Sequence, residues 1–164
     1  MNNENFIYKD PDGYHGKEIT LHDCITDKVN LEDSTLYFYL PDGFWVTPHH
    51  KENNSGKTIR TGASVVSFTI KDIDDISVRV FTRHRWLGFR NTSVALWDRE
   101  QLISAINGGK CTLEFITQYR SHYEQMWHCA IHSKKKPYYR ECQLYLPETE
   151  AAFFWNELCT DREW

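Results

Sequence analysis

The chain has 164 residues, of which 40% are apolar and 15% aromatic, and this argues for one domain over residues 1–164 that buries about two-thirds of its unfolded surface; general disorder is excluded. The formal charge is −4 at pH 7, and no apolar run approaches the roughly 20 residues that a bilayer-spanning helix needs. The opening Met1-Asn2-Asn3-Glu4-Asn5 lacks the basic-then-apolar order of a secretory signal, so the expectation is a cytoplasmic protein that does not enter a membrane.

Charge is uneven along the chain. Residues 1–50 carry 3 basic and 9 acidic side chains, residues 51–140 carry 15 and 8, and residues 141–164 carry 1 and 6. The five cysteines, Cys24, Cys111, Cys129, Cys142 and Cys159, are odd in number and form no CxxC pair, which favours reduced thiols.

The predicted elements begin with a short edge strand at Phe6-Ile7-Tyr8, ended by the turn Asp10-Pro11-Asp12-Gly13. Residues 18–25 alternate and read as a strand, with Ile19 and Leu21 on one face. Leu36–Leu40 and Phe44–Val46, joined by Pro41-Asp42-Gly43, read as a hairpin. The polar stretch 47–62 reads as an exposed, mobile loop.

Val65–Ile70 and Ile76–Thr82 are two further strands, with an acidic turn between them that favours their pairing. A helix of about 9 residues opens at Asp98, whose carboxylate with Gln101 has the spacing of a capping box, and stops at Asn107-Gly108-Gly109. Strands follow at Cys111–Thr117, Met126–His132 and Tyr138–Leu146. Ala151, Phe154, Trp155 and Leu158 recur at helical spacing, which predicts a terminal helix. The expected fold is α+β: mainly antiparallel sheet, a short mid-chain helix and a C-terminal helix.

Three groups of residues carry candidate chemistry. His128 and His132, with His22 and Cys24, include donor types that zinc accepts, but their spacing departs from recurrent zinc sites, so neither metal nor cofactor is expected. The second group is Thr82 to Arg90. Arg83, His84, Arg85 and Arg90 interleave there with Trp86 and Phe89, a chemistry suited to an acidic protein surface or to phosphates. Lys134-Lys135-Lys136 reads as a solvated turn, and His49-His50 as solvated loop residues. Gly-x-Ser-x-Gly, His-Glu-x-x-His and complete phosphate-loop patterns do not occur, and no catalytic residue is assigned.

His22-Asp23-Cys24, Asp42-Gly43-Phe44-Trp45-Val46, Arg60-Thr61-Gly62 and Phe154-Trp155-Asn156 together resemble small bacterial proteins, some of which look like immunity proteins of polymorphic toxin systems. The resemblance implies a cytoplasmic protein that blocks a toxin domain by binding it. The expectation is therefore a non-enzymatic protein-binding protein, with Arg83, His84, Arg85, Trp86 and Arg90 as the partner-binding residues. A small hydrolase and a nucleic-acid or nucleotide binder using residues 83–90 are the alternatives.

Overall fold

The computed structural model describes residues 6–11, 18–86, 89–120, 124–147 and 149–164, and for Arg85, Trp86, Phe89 and Glu124 the backbone alone. The alternating segments form strands, which are, in chain order, β1 (Tyr8–Asp10), β2 (Ile19–Thr20), β3 (Cys24–Thr26), β4 (Lys28–Glu32), β5 (Thr35–Leu40), β6 (Trp45–Val46), β7 (Ile59–Thr61), β8 (Ser64–Ile70), β9 (Ser77–Trp86) and β10 (Phe89–Asp98). Helix α1 (Arg99–Asn107) follows, then β11 (Cys111–Arg120), β12 (Glu124–Ser133), β13 (Tyr139–Pro147), β14 (Thr149–Trp155) and β15 (Leu158–Glu163). The described pairings are all antiparallel, in sheets ordered β1-β14-β8-β5-β4, β10-β9-β13-β12-β11-β3 and β15-β7-β6-β2. Among the described residues, no helix is long and apolar enough to cross a membrane.

The two larger sheets meet through aromatic rings. Phe38 of β5 stands edge-on to Phe115 of β11, with 5.3 Å between centroids, and Phe68 of β8 meets Trp127 of β12 at 6.3 Å. Such tilted contacts set the negative face of one ring against the positive edge of the next. The small sheet closes one side of this core, where Phe44 packs edge-on against Phe153 and Trp155 of β14.

The helix is built as its sequence predicts. Asp98 accepts from the Gln101 N–H at 2.8 Å, Gln101 reaches back to the Asp98 N–H at 3.0 Å, and Gly109 stands at φ +64° past the last turn. Leu102 and Ile106 face the core. Asn107 also ties the helix to β4, because its Oδ1 accepts from the Val29 N–H at 2.9 Å and its Nδ2 donates to the Val29 carbonyl at 2.7 Å. One amide side chain thus imitates a neighbouring strand and covers the open edge of β4.

Several expectations are corrected. Residues 149–163 form β14 and β15, not a C-terminal helix; Glu148 lies outside the described residues. Phe153, Phe154 and Trp155 are buried in succession because Phe44 packs on Phe153 and Trp155, while Phe6 and Lys9 cover the Phe154 ring, which no single helical stripe could achieve. The Pro41-Asp42-Gly43 turn exists but makes no hairpin. It hands the chain from the five-stranded to the four-stranded sheet, with Gly43 at φ +79° pressed against the backbone of Thr61 and Gly62, where no Cβ fits.

β8 and β9 do not pair either. A 3-10 turn at Ile73–Asp75, capped by the Asp72 carboxylate, carries the chain between the two large sheets. Residues 18–25 split into β2 and β3 of different sheets, because Asp23 at φ 57° turns the chain there. The first edge strand is β1, two residues later than expected, and Asp12 and Gly13 of its turn lie outside the described residues.

The 47–62 stretch is pinned rather than free. Asn53 is buried, its Nδ2 donates to the carbonyls of Val46 and Lys57 at 2.8 Å each, and its Oδ1 accepts from the Ser55 N–H and hydroxyl. Residues Ile59–Thr61 of the same stretch are β7.

Candidate partner-binding edge

Strands β9 and β10 form a ribbon at one side of the six-stranded sheet, in register from Trp86↔Phe89 to Asp98↔Ser77. Strand β10 is not among the elements predicted from the sequence. The ribbon collects the five predicted partner-binding residues at one end, and Arg83, His84 and Arg90 are exposed there. The side chains of Arg85 and Trp86 lie outside the described ones, as do Leu87 and Gly88.

Neighbouring residues of a strand leave by opposite faces, so Arg83 and His84 do not share one. Arg83 donates to the Glu141 carboxylate at 2.7 Å on the solvent face, and the His84 Nε2 lies 2.8 Å from the Ser93 hydroxyl on the other. Arg79 lies over the Tyr145 ring at 4.9 Å and donates to its hydroxyl at 3.3 Å. Register places Arg90, Thr92, Val94 and Leu96 on the same face as Arg83 and Arg79.

The edge of β10 has a definite hydrogen-bonding pattern. The Ser133 N–H donates to the Tyr138 carbonyl, which fixes which residues of β12 and β13 point at one another. Polar groups alternate along a strand, and carrying that alternation through the β12–β13, β13–β9 and β9–β10 registers gives the odd residues of β10 to β9. The N–H and C=O groups of Arg90, Thr92, Val94 and Leu96 therefore point away from the sheet.

This edge is unlike the others. The outer strands β1, β2, β3, β4 and β15 have 3, 2, 3, 5 and 6 residues, whereas β10 has 10. β1 carries Lys9 and Asp10, β4 carries Lys28 and Glu32 and lies under Asn107, and β15 carries Asp161, Arg162 and Glu163. Proteins commonly blunt an edge by shortness, charge or cover. From Asn91 to Trp97, β10 has no charged residue and no proline, and Val94 and Leu96 are 58% and 67% exposed.

Among the described residues, the histidines do not converge on one centre. His132 lies 2.6 Å from the Glu114 carboxylate on the face of β12 that also carries His128. His22 bonds the Ile116 carbonyl through Nδ1 and stacks on Trp164, while Cys24 is buried in the core. Burial pushes the Cys24 thiol up to about 12, against the pull of Arg60.

Among the described residues, ligand atoms of Asp10, Glu18 and His50 lie within 4.8 Å of one another. His50 is buried, contrary to the solvated reading. Its Nδ1 accepts from the Glu52 N–H at 3.1 Å, so Nε2 carries the proton and donates to Asp10 at 2.8 Å. With one ring nitrogen accepting and the other donating, no lone pair is left for a metal. His50 is a tie between the 47–58 loop and β1.

The two aliphatic residues that define the edge, Val94 and Leu96, carry only a weak signal in the sequence. Their two-residue spacing is that signal, hidden because the residues between and before them are small and polar. Comparisons with protein-family models, curated proteins and solved structures find no match to this chain.

Proposed function

We propose that the protein works by binding another protein, and that it takes an extended segment of that partner as an added antiparallel strand on β10. The observation that carries this reading is the ten-residue edge whose centre has no charge and, among the described residues, no strand laid over it. Main-chain bonds to Arg90, Thr92, Val94 and Leu96 would supply affinity, and alternate side chains would supply specificity. Beside Val94 and Leu96 the fitting partner residues are apolar or β-branched. Beside the exposed Arg90 they are acidic.

An immunity protein that covers a toxin domain is one such binder, in keeping with the sequence resemblance and with the absence of catalytic motifs from the sequence. The second reading, a site for phosphorylated ligands, draws on a different part of the molecule, and the cations found there favour it.

Val94→Pro tests the proposal. The Val94 N–H points to solvent, so the substitution blocks an added strand without removing a ladder bond. A partner held in stoichiometric amount by the native chain and lost by Val94→Pro, with both chains showing the same thermal transition, supports the reading. A partner held equally by both contradicts it, as does recovery of no protein partner from the native host. Self-association abolished by Val94→Pro would assign the edge to a second copy instead.

A further inference from the structure

The three-lysine turn is exposed, as the sequence predicts, but it does not stand alone. It forms one wall of a cavity of about 700 Å³ whose lining brings together Lys110, Lys134, Lys135, Lys136 and Arg140 beside Trp97. None of the described residues lining it is an aspartate or glutamate. In a chain of net charge −4, five cations with no carboxylate among them are a local choice of the fold. Four of them, Lys134, Lys135, Lys136 and Arg140, belong to the β12–β13 hairpin, and the tertiary structure adds Lys110, which precedes β11.

The cavity is held in shape. The Ser133 N–H donates to Tyr138 at 2.8 Å, and the Lys134 N–H reaches the Lys110 carbonyl at 3.5 Å, which ties the turn to β11. Arg140 is preset: its guanidinium lies 5.2 Å over the Trp97 ring, and one terminal nitrogen donates to the Ser133 hydroxyl at 3.3 Å. Its Nε is buried with no hydrogen-bond partner. A buried charged donor without an acceptor costs free energy, so this guanidinium keeps unmet donor capacity.

The last turn of α1 also lines the cavity, and a helix carbonyl end repels anions. Here, however, the carbonyls of Ser104, Ala105 and Ile106 already accept from Gly108, Lys110 and Gly109. Burial pushes the neighbouring Cys111 thiol above its ordinary value, while Arg140 and Lys110 pull it back, as expected beside a concentration of positive charge.

We infer that this cavity binds a small molecule carrying two or more linked phosphates. Its volume is that of a small-ligand site. A diphosphate packs several charges and many acceptor oxygens into the reach of one arginine fork and four lysine point charges. The site touches β10 only through Trp97, on the face opposite Val94 and Leu96, and the proposal stands without partner binding at that edge.

Calorimetric titration of the full chain at low salt tests it, with pyrophosphate, ADP, inorganic phosphate and citrate as probes. Pyrophosphate and ADP should bind one to one, at least about tenfold tighter than phosphate or citrate. ADP tighter than pyrophosphate would show that the nucleoside is read too, and equal affinities that the phosphates alone are.

Arg140→Gln removes a half-buried stacked side chain and could disturb the fold, so Lys134→Ala and Lys135→Ala in the exposed turn serve as second variants. Each should weaken pyrophosphate binding by about threefold to tenfold with an unchanged thermal transition. Lack of binding by pyrophosphate and ADP, citrate binding as tightly, or lysine variants binding normally would overturn the proposal. So would binding of a short RNA that pyrophosphate does not displace.

Discussion

The thiols show how position decides chemistry for a single residue type. All five cysteines are free, and Cys24, Cys111, Cys129 and Cys142 are buried. Cys129 and Cys142 stand opposite one another across β12 and β13, yet remain thiols inside the core. Burial pushes Cys24 from its ordinary 9.0 up to about 12, and Cys111 and Cys129 move the same way for the same reason. The folded chain therefore keeps protons that the unfolded chain releases, and stability falls as pH rises from about 9 towards about 12. Urea unfolding across that interval should show the slope, and Cys24→Ala should flatten it. A thiol reagent at pH 8 should titrate the half-buried Cys159 ahead of the other four. The reduced state is legible from an odd count without CxxC pairs, but the burial of individual thiols is not, because it depends on which strands lie across from them.

Among the elements, α1 and β14 mark the two extremes of legibility. The signals for α1 are local: Asp98, Gln101 and the two glycines lie within twelve residues, and each acts on backbone groups of the same turns. Those of β14 are not. Ala151, Phe154, Trp155 and Leu158 have helical spacing, but Leu158 falls in β15 beside β7, and the place of the others is set by β1 and β8, which contribute Tyr8 stacked on Trp155 at 5.3 Å and Val66 opposite Phe153. The helical reading leaves Phe153 off the apolar stripe, whereas the strand buries it completely against Phe44. Phe153→Ala should therefore destabilise the protein by about 3–5 kcal/mol in urea or thermal unfolding. A loss near zero would return residues 149–155 to the helical reading.

At the scale of the whole molecule, strand existence is readable from the sequence and strand partnership is not. Alternation and turn residues locate β5, β8, β9, β11, β12 and β13, since each pattern is written within one segment. Which strands pair is a long-range choice: β8 lies between β5 and β14, whose residues are separated from it by about thirty and about eighty positions in register. The two sequential pairs that point to hairpins, β5 with β6 and β8 with β9, instead lead from sheet to sheet, whereas β11, β12 and β13 pair in sequence. Of the candidate edge, the arginines and His84 are visible from composition, but the uncharged run after them becomes a site only because β10 falls last in its sheet. The same holds for Lys110, which is distant in the chain from the 134–140 hairpin that it joins at one cavity.

Amide hydrogen exchange, read residue by residue by NMR, addresses the β10 edge most directly. In the free protein the Asn91, Ser93, Ala95 and Trp97 amides should be protected and those of Arg90, Thr92, Val94 and Leu96 should exchange quickly. The second set should become protected when the partner is added. Uniform protection along β10 in the free chain, or no slowing of the fast amides with partner present, would contradict strand addition at this edge.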